Sequence, residues 1–327
     1  MKTTSIIRRT VLATALLAIT GFASAQTVKL TLAHGNPPDN PRHVAAVKFA
    51  DTVKAKTNGR VEIQVAHSAQ LGDDAAMVTA LRSGTLDFSA NSQGAVSTVV
   101  PEFAALGMPF LFADAPKAWG VMDGPIGKEL ADKAAAKGMV LLGLWDNGIR
   151  QMSNSKRPIK VPADMKGLKM RTPPDTVTVD IMQALGADAQ QIKFSELYVA
   201  LQQGVVDGQE NPLTNIASAK LYEVQKYISL SGHKYESTPF LMSKRTWDRM
   251  TPADQKVVSE AATEATQLQR RLNKEIDDKL VADLKGKGVQ IDTVDRKAFM
   301  DACAPVYTKW AASPIGEFVN RVVQAAR

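Results

Sequence analysis

Short apolar strands alternate with helices along most of this 327-residue chain, and this alternation constrains the fold more than any other feature. Strands are expected at Val28 to Leu32, Val61 to Val65 and Met139 to Leu144, where apolar residues recur at period two or run continuously. Helices are expected between them, over 41–57 and 73–83. The continuous run in the third strand is typical of a parallel strand covered on both faces. The pattern predicts an α/β protein.

The middle of the chain repeats this alternation with shorter strands. They are expected at Lys169 to Arg171, Gln190 to Ile192 and Val205 to Asp207, with helices at about 177–185 and 195–203 between them. The same class of fold is therefore expected in both halves of the chain.

A much longer helix is expected after residue 250. Thr251 is a good N-cap, Pro252 suits the first helical position and Asp254 supplies an acid in the first turn. The stretch that follows has no Gly and no further Pro up to Lys285, so one helix would be roughly 50 Å long at ~1.5 Å per residue. Either a single helix braces two lobes, or the stretch forms a solvated surface helix or a kinked pair.

Two segments of the chain resemble each other at a shift of 120 positions, from Ala69 to Ala189. Each copy contains a helix, a stopping glycine, a strand and a polar loop that includes Asn91 or Asn211. Either the likeness reflects the frequency of Ala, Leu and Gly in helix-to-strand turns, or the protein has two related α/β lobes. In the second case both asparagines lie just past a strand's carboxyl end, where open α/β sheets bind ligands.

The first 25 residues have the three parts of a secretory signal. A basic start containing Arg8 and Arg9 precedes an apolar stretch from Val11 to Phe22, and small residues end it at Ala25. An apolar stretch this short is unlike a membrane anchor, which needs ~20 residues. We therefore expect an exported, periplasmic protein cleaved after Ala25. Cys303 is the only cysteine, so no intrachain disulfide can form.

Composition excludes two classes of partner. Lys plus Arg number 40 against 33 Asp plus Glu, a net charge of +7 that forms no basic run longer than pairs. Such a dispersed excess does not make the clustered patch that a nucleic acid requires. No other apolar run is long enough to cross a bilayer, so the mature chain is not expected to span a membrane.

The motifs of common cofactors and catalytic sites are absent. The four histidines have no i, i+4 pair and no neighbouring cysteine, which gives no support for a metal site. The glycine-rich fingerprints of dinucleotide and nucleoside-triphosphate binding and the G-x-S-x-G motif are missing. We expect no cofactor and no catalytic residues. A secreted enzyme would have to rely on Asp146, Glu210 and the histidines as acids and bases.

Polar residues concentrate directly after two expected strands. The segments are 145–151, which reads W-D-N-G-I-R-Q, and 207–212, which reads D-G-Q-E-N-P; segment 169–174 lies between them. Because both follow apolar strands, we expect them at strand carboxyl ends that face a cleft.

These same residues resemble the extracytoplasmic solute receptors of TRAP transporters. The likeness rests on N-G-x-R-Q, G-L-K-M-R-x-P, F-S-E-L-Y-x-A-L-Q-x-G-V-V-D-G-Q-E-N-P and Y-E-V-Q-K-Y, and it extends from the export signal to about residue 265. It implies a two-lobed periplasmic binding protein fold with a hinge, crossing strands and a long helix spanning both lobes. One lobe would comprise 26–147 plus about 236–275, and the other 148–235 plus about 276–327. It also implies delivery of the solute to the membrane subunits of such a transporter.

The resemblance further implies that Arg171 clamps a ligand carboxylate, with Arg150, Asn211 and Phe194 as further contacts. A guanidinium suits this role because its rigid fork matches a carboxylate with two parallel hydrogen bonds. Each residue also has a structural alternative. Arg171 could pair with an acid such as Asp175, Arg150 could pair with Asp146, Asn211 could cap a helix, and Phe194 could belong to the core.

The ligand expected from these motifs is a small organic acid. Segments 145–151 and 170–174 resemble those of hexuronate receptors, which favours a sugar acid such as glucuronate or galacturonate; a C4-dicarboxylate or another small carboxylate is the alternative. Trp145 could stack on a sugar's apolar face, and Asp146 could accept from its hydroxyls. The remaining predicted ligand-binding residues are mostly neutral hydrogen-bonding groups: His34, Asn36, Asn91, Gln93 and Asn147.

Overall fold

The structure, a computed structural model, describes residues 27–327. The expected export signal and its cleavage after Ala25 lie outside the described residues.

Nine strands of the described chain form one mixed sheet. Its order is β2-β1-β3-β8-β4-β7-β5-β6, with β9 paired to β8 off this path. The strands are β1 (Val28–His34), β2 (Val61–Ala66), β3 (Phe88–Ala90), β4 (Met139–Asn154), β5 (Lys169–Thr172), β6 (Asp188–Gln191), β7 (Gly208–Pro212), β8 (Tyr227–Ser243) and β9 (Gln290–Thr293).

Helices connect these strands and cover the sheet. They are α1 (Pro41–Lys56), α2 (Asp74–Ser83), α3 (Gln93–Ser97), α4 (Ala115–Met122), α5 (Pro125–Ala136), α6 (Thr176–Ala184), α7 (Phe194–Gln202), α8 (Leu213–Ser218), α9 (Lys244–Trp247), α10 (Pro252–Gly286), α11 (Arg296–Ala311) and α12 (Gly316–Ala325), with short 3₁₀ turns at Pro101–Gly107, Pro162–Met165 and Leu221–Glu223.

The two halves of the sheet have the same construction. In one half, β2, β1 and β3 run parallel and end against antiparallel β8; in the other, β6, β5 and β7 run parallel and end against antiparallel β4. Equivalent aspartates brace the two units, because Asp87 accepts from the backbone N–H of Thr31 and Asp207 from that of Lys169, each at 2.9 Å. The segments related by the shift of 120 therefore occupy corresponding places in two lobes.

The long strands β4 and β8 pair with each other and carry the chain from one lobe to the other. Their register shifts between Asp146 and Gly148, opposite Glu236. Gly148 has φ +118, and a Cβ there would lie 3.3 Å from both Asn273 and Pro212. A side chain at this point would be strained and crowded, so glycine suits the crossing.

Helix α10 is one uninterrupted helix of 35 residues. The side chain of Thr251 accepts from the N–H of Asp254 and caps its start. Along its length the helix packs against α1, β4, α8 and β9, which belong to different lobes. Of the two arrangements left open by the sequence, the single helix against both lobes is therefore the one observed.

The hydrophobic cores follow the lobes only in part. One cluster, containing Phe49 and Phe240, fills the lobe of β1, and another, containing Leu197 and Leu284, fills part of the lobe of β5. The third cluster extends across both. The last helix, α12, was expected in the second lobe, which was predicted to include about 276–327. It contacts residues of the expected first lobe: Arg321 on α12 pairs with Glu129 on α5, and α12 packs against Pro101–Gly107.

Two expected strand boundaries were wrong. The strand expected to end at Leu144 continues to Asn154, and the strand expected at Val205 to Asp207 instead begins at Gly208. Both polar segments are therefore strands in the middle of the sheet rather than loops beyond it. Most of their side chains are buried, and Arg150 of the first segment pairs with Glu210 of the second, which a local pattern of polarity cannot reveal.

Candidate ligand-binding site between the lobes

A cavity of about 300 Å³ lies between the two lobes. Side chains from both lobes and from the crossing strands line it, and those used below are Asn36, Arg42, Asp74, Asn147, Arg150, Arg171, Phe194, Asn211, Asn215 and Glu236. This volume is at the lower end of the range for small-molecule sites, roughly 300–1,000 Å³.

Arg171 extends from β5 into the wall of this cavity and is 2% exposed. Its Nε donates to the carbonyl of Ile192 at 2.7 Å, and its guanidinium carbon lies 6.0 Å from the centroid of the Phe194 ring. Its two terminal nitrogens have no hydrogen-bond partner within residues 27–327. Burial lowers the pKa of Arg171 to about 10, so the group remains a cation at neutral pH. The structural alternative, a pair between Arg171 and Asp175, does not occur, because Asp175 binds Lys234 and Thr178.

Arg150 lies at the floor of the cavity and, unlike Arg171, is fully paired. Its Nε and Nη2 donate to the Glu210 carboxylate, the latter at 2.7 Å, and its Nη1 donates to Glu236. Burial opposes the charge, but the two carboxylates outweigh it and raise the pKa of Arg150 above its ordinary value. Arg150 and the nearby His233 in turn outweigh the effect of burial on Glu210 and lower its pKa to about 2. The structural partner of Arg150 is thus this pair of glutamates, and not Asp146.

Four asparagines join the lobes across the cavity. Asn215 on α8 accepts from Asn36 at 2.9 Å and donates to both Asn147 and Asn211 at 3.1 Å. Asn211 lies within β7, and Pro212 rather than Asn211 occupies the N-cap position of α8. The expected capping role of Asn211 is therefore not the one observed.

A third guanidinium, that of Arg42, enters from α1. It donates to Thr238 Oγ1 at 2.7 Å and to Asn147 Oδ1 at 3.2 Å, both neutral acceptors. Burial lowers the pKa of Arg42, and the charges of Asp74 and Glu236 offset part of that shift. Asp74 begins α2, and its Oδ2 accepts from the N–H of Ser92 at 3.1 Å.

An ion pair closes one edge of the cavity mouth. Lys193 Nζ lies 2.8 Å from a carboxylate oxygen of Asp73, and the two residues precede α7 and α2, which belong to different lobes. The Lys193 side chain is 56% exposed, so water and salt screen this contact.

Trp145 and Asp146 do not line the cavity, which corrects the expectation that they contact the ligand. Trp145 is fully buried, stacks on Phe240 with ring centroids 4.6 Å apart, and donates to Thr266 at 3.0 Å. Asp146 accepts from Asn273 on α10 at 2.7 Å, and burial raises its pKa. Both residues attach the crossing strand to the long helix.

His34, Asn91 and Gln93 are buried beside the cavity but do not line it. Gln93 accepts from the Ser237 backbone and hydroxyl at 3.1 and 2.8 Å. His34 lies 3.1 Å from His43 between ring nitrogens, and burial lowers its pKa to about 2. No group of three or more His, Cys, Asp or Glu side chains in the described part of the chain is placed to hold a metal ion.

Six of the predicted site residues therefore meet at the cavity: Asn36, Asn147, Arg150, Arg171, Phe194 and Asn211. Sequence reasoning missed Arg42, Asp74, Asn215 and Glu236, which also line it. Asp74 lies in the first of the two repeated segments, four residues after Gln70, so the repeat offered a signal for it. The other three lie outside every motif that drew attention to the site.

Two lobes joined by crossing strands, with a polar cavity between them, define a protein that captures a small solute by enclosing it. The chain belongs to the bacterial extracellular solute-binding proteins of family 7, the DctP family, whose profile matches residues 32–313. The TRAP receptor resemblance and the two-lobed α/β fold are thus confirmed. The family consists of extracytoplasmic receptors rather than enzymes. Within residues 27–327 no helix is long and apolar enough to cross a membrane.

Two relatives illustrate the range of similarity. The y4mM protein of Sinorhizobium fredii is 56% identical over 278 residues, which cover 85% of this chain; the chain spans only about half, 51%, of that relative's length. The 2,3-diketo-L-gulonate-binding periplasmic protein YiaO of Escherichia coli is 33% identical over 287 residues, covering 88% of each chain.

Solved structures agree with the fold over nearly the whole described chain. The sugar acid binding protein DctPAm of Advenella mimigardefordensis, in complex with galactonate, has a TM-score of 0.90 at 32% identity and covers 92% of this chain and 98% of its own. A TRAP periplasmic solute-binding protein of Sulfurospirillum deleyianum with bound succinate has a TM-score of 0.88 at 33% identity, with 92% and 100% covered.

Proposed function

We propose that this receptor captures a sugar acid, a small monocarboxylate with several hydroxyl groups, in the cavity between its lobes. The observation that carries the proposal is the state of Arg171: a buried guanidinium at the cavity wall whose two terminal nitrogens have no hydrogen-bond partner among residues 27–327. A buried charge of this kind requires a partner, and a planar carboxylate fits two parallel donors.

The rest of the lining suits hydroxyl groups. Amides of Asn36, Asn147, Asn211 and Asn215 both donate and accept, as hydroxyls do. Phe194 beside Arg171 offers an apolar surface for a carbon skeleton. We therefore assign the carboxylate to Arg171, and the hydroxyls to the amides and to Asp74.

In this proposal Arg150 does not clamp the ligand. All three of its nitrogens already donate to Glu210 or Glu236, so it shapes and neutralises the floor. His34, Asn91, Gln93, Trp145 and Asp146 lie outside the cavity lining and are not assigned a ligand contact.

A C4-dicarboxylate is the second candidate, and Arg42 favours it. Among the described residues this guanidinium donates to neutral acceptors only, so it could receive a second carboxylate. The carboxylates Asp74 and Glu236 near Arg42 would repel that group, which is why we rank a monocarboxylate first. Both ligand classes occur among similar structures, as galactonate in one and succinate in another.

Ligand capture is proposed to close the lobes about the crossing strands, near residues 147–148 and 236. Only contacts that the ligand makes to both lobes can favour the closed state, and side chains from both lobes line the cavity. Cleavage after Ala25 would release the receptor into the periplasm, where it would deliver its ligand to the membrane subunits of a TRAP transporter.

The decisive experiment is mass spectrometry of the small molecule released from protein purified without added ligand. It is followed by calorimetric titration with galactonate, glucuronate, galacturonate and succinate. We expect at least one sugar acid to bind more tightly than succinate and to be recovered chemically unchanged. Tighter binding of succinate than of every sugar acid would refute the proposal, and conversion of the ligand would contradict a receptor.

A further inference from the structure

The two carboxylate oxygens of Glu236 differ in their hydrogen bonding. Its Oε2 accepts from Asn147 Nδ2 at 2.7 Å and from Arg150 Nη1. Its Oε1 is buried and, within residues 27–327, has no hydrogen-bond partner. The residue is fully buried in β8 where the two long strands cross, and it lines the cavity.

An ionised carboxylate is an acceptor only, so its free oxygen must be satisfied by a donor. The cost of leaving such an atom buried and unpaired is large, and a buried group without a partner in a native protein requires an explanation. Because the other oxygen is fixed by Asn147 and Arg150, the group cannot turn to find a different partner. A ligand hydroxyl in the cavity is a donor of suitable chemistry.

The charges around the cavity lead to the same conclusion. Three guanidiniums, of Arg42, Arg150 and Arg171, balance three carboxylates, of Asp74, Glu210 and Glu236. A monocarboxylate adds one negative charge beside the free cation Arg171. A dicarboxylate would add a second, which would have to avoid an unpaired carboxylate oxygen at the floor.

We propose that Glu236 is a specificity-determining residue whose Oε1 accepts a hydrogen bond from a ligand hydroxyl and repels a second ligand carboxylate. The inference rests on the proposed sugar-acid function and deepens it, because it names the group that discriminates against dicarboxylates.

Glu236→Gln tests this with almost no change of shape. The positions around Oε2 are occupied by donors, so the amide oxygen of the glutamine must remain there. Its NH₂ group then takes the place of Oε1 and presents a donor where the wild type presents an acceptor. The substitution also removes one negative charge from the floor.

Calorimetric titration of both proteins with galactonate, glucuronate, galacturonate and succinate gives the comparison. We expect Glu236→Gln to weaken the tightest sugar acid by roughly 5- to 30-fold, because the ligand hydroxyl can accept from the new amide but loses the stronger hydrogen bond to a charged carboxylate. Succinate should bind unchanged or more tightly. Glu223→Gln, which removes the charge of an exposed glutamate that binds Tyr198, is the matched control and should change neither.

The two hypotheses fail in different ways. If wild type prefers succinate to every sugar acid, the proposed function fails and this inference fails with it. If wild type prefers a sugar acid but Glu236→Gln changes its affinity less than about threefold, or weakens sugar acid and succinate equally, only the role of Glu236 is refuted.

Analogues provide the test on wild type should Glu236→Gln not fold. Monodeoxy derivatives of galactonate remove one hydroxyl at a time. We expect one of them to lose at least about tenfold in affinity, with no recovery when fluorine replaces that hydroxyl, since fluorine cannot donate. Affinities within about threefold for the whole series would refute the inference.

Discussion

Arg150 and Arg171 are both buried arginines at one cavity, 2% exposed each, yet their surroundings differ completely. Arg150 donates from every nitrogen to groups of the protein, chiefly two carboxylates. Within the described part of the chain Arg171 donates from Nε alone, to a backbone carbonyl. The side chains are chemically identical, so their partners decide their roles.

The difference separates a structural cation from a cation available to a ligand. A buried guanidinium paired with carboxylates is costly to remove, because it leaves those carboxylates buried and unpaired. A buried guanidinium without a carboxylate reduces the stability of the empty protein but attracts an anion. Substituting each arginine should therefore affect a different measurement.

Replacement of Arg150 should have the largest effect, and the effect should be on folding. Arg150→Met leaves Glu210 and Glu236 without their cation, at a cost of about 3–5 kcal/mol in the free energy of unfolding. Urea denaturation of the ligand-free protein measures it. Adding Glu210→Gln and Glu236→Gln to Arg150→Met should recover part of the loss, because the uncompensated charges disappear. A single variant as stable as wild type would show that Arg150 is not structural.

Replacement of Arg171 should instead affect binding. Arg171→Ala removes the proposed carboxylate clamp and should cost about 2–5 kcal/mol of binding free energy, or roughly 30- to 4,000-fold in affinity. Arg171→Lys keeps the charge without the fork and should lose less. The empty protein should unfold no more easily than wild type, since no protein carboxylate loses a partner and a buried charge that opposes folding is removed.

Calorimetry with the tightest acid tests this prediction. Arg271→Ala is the control, because Arg271 is 63% exposed on α10 and pairs with Glu275 on the same helix. An Arg171→Ala protein that binds within about threefold of wild type, less than ~0.7 kcal/mol, would exclude the clamp.

Acid should lower the free energy of unfolding in two pH windows, one set by His34 and one by Glu210. Folded His34 has a pKa of about 2 against an ordinary 6.5, so only the unfolded chain takes up its proton as pH falls below about 6.5. Glu210 has a pKa of about 2 against 4.5, so its contribution is lost between about pH 4.5 and 2. Stability is therefore greatest above both ordinary pKa values and falls by about 1.4 kcal/mol per pH unit for each such group.

Urea denaturation of ligand-free protein between about pH 7.5 and 2.5 measures this dependence across both windows. His34→Gln should reduce the slope in the upper window, where His43 and His233 also have lowered pKa values, and leave the lower window unchanged. Equal slopes for wild type and variant between pH 6.5 and 5 would count against the neutral buried histidine.

The ion pair at the cavity mouth should have the smallest effect. Lys193→Ala should weaken ligand binding a few-fold at most at low salt, and the difference should vanish at high salt because exposed pairs are screened. Lys274→Ala breaks an exposed pair with Asp278 on α10, away from the cavity, and serves as control. A loss that persists in high salt would mean that Lys193 contacts the ligand itself.

Much of the fold could be predicted because its signals are local. The N-cap and first-turn proline of α10 defined its start, and Gly84, with φ +81, ends α2 as expected. The strand boundaries at Leu144 and Val205 could not be placed. There the chain continues as strand through polar residues whose partners, such as Glu210 for Arg150, are 60 positions away.

The site was predictable only where motifs carried it. Arg171 and Asn211 were identified from such motifs, and both reach the cavity. Glu236 and Arg42 were missed because neither lies in a recognisable binding motif. Glu236 reaches the cavity because β8 crosses between the lobes, and Arg42 reaches it because the start of α1 lies beside the cavity. Trp145 was misplaced because an aromatic residue beside polar ones fits a sugar subsite as well as it fits a core.

Cys303 gives the protein a practical property. It is the chain's only cysteine, it is 1% exposed, and burial raises the pKa of its thiol to about 12. The thiolate is the form that attacks thiol reagents, so this buried, protonated thiol should stay unmodified in the folded state. Cysteines introduced in place of Asp73 and Lys193, one on each side of the cleft, would then be the only reactive thiols. A fluorophore pair attached there would report the lobe separation in real time, without first removing the native cysteine.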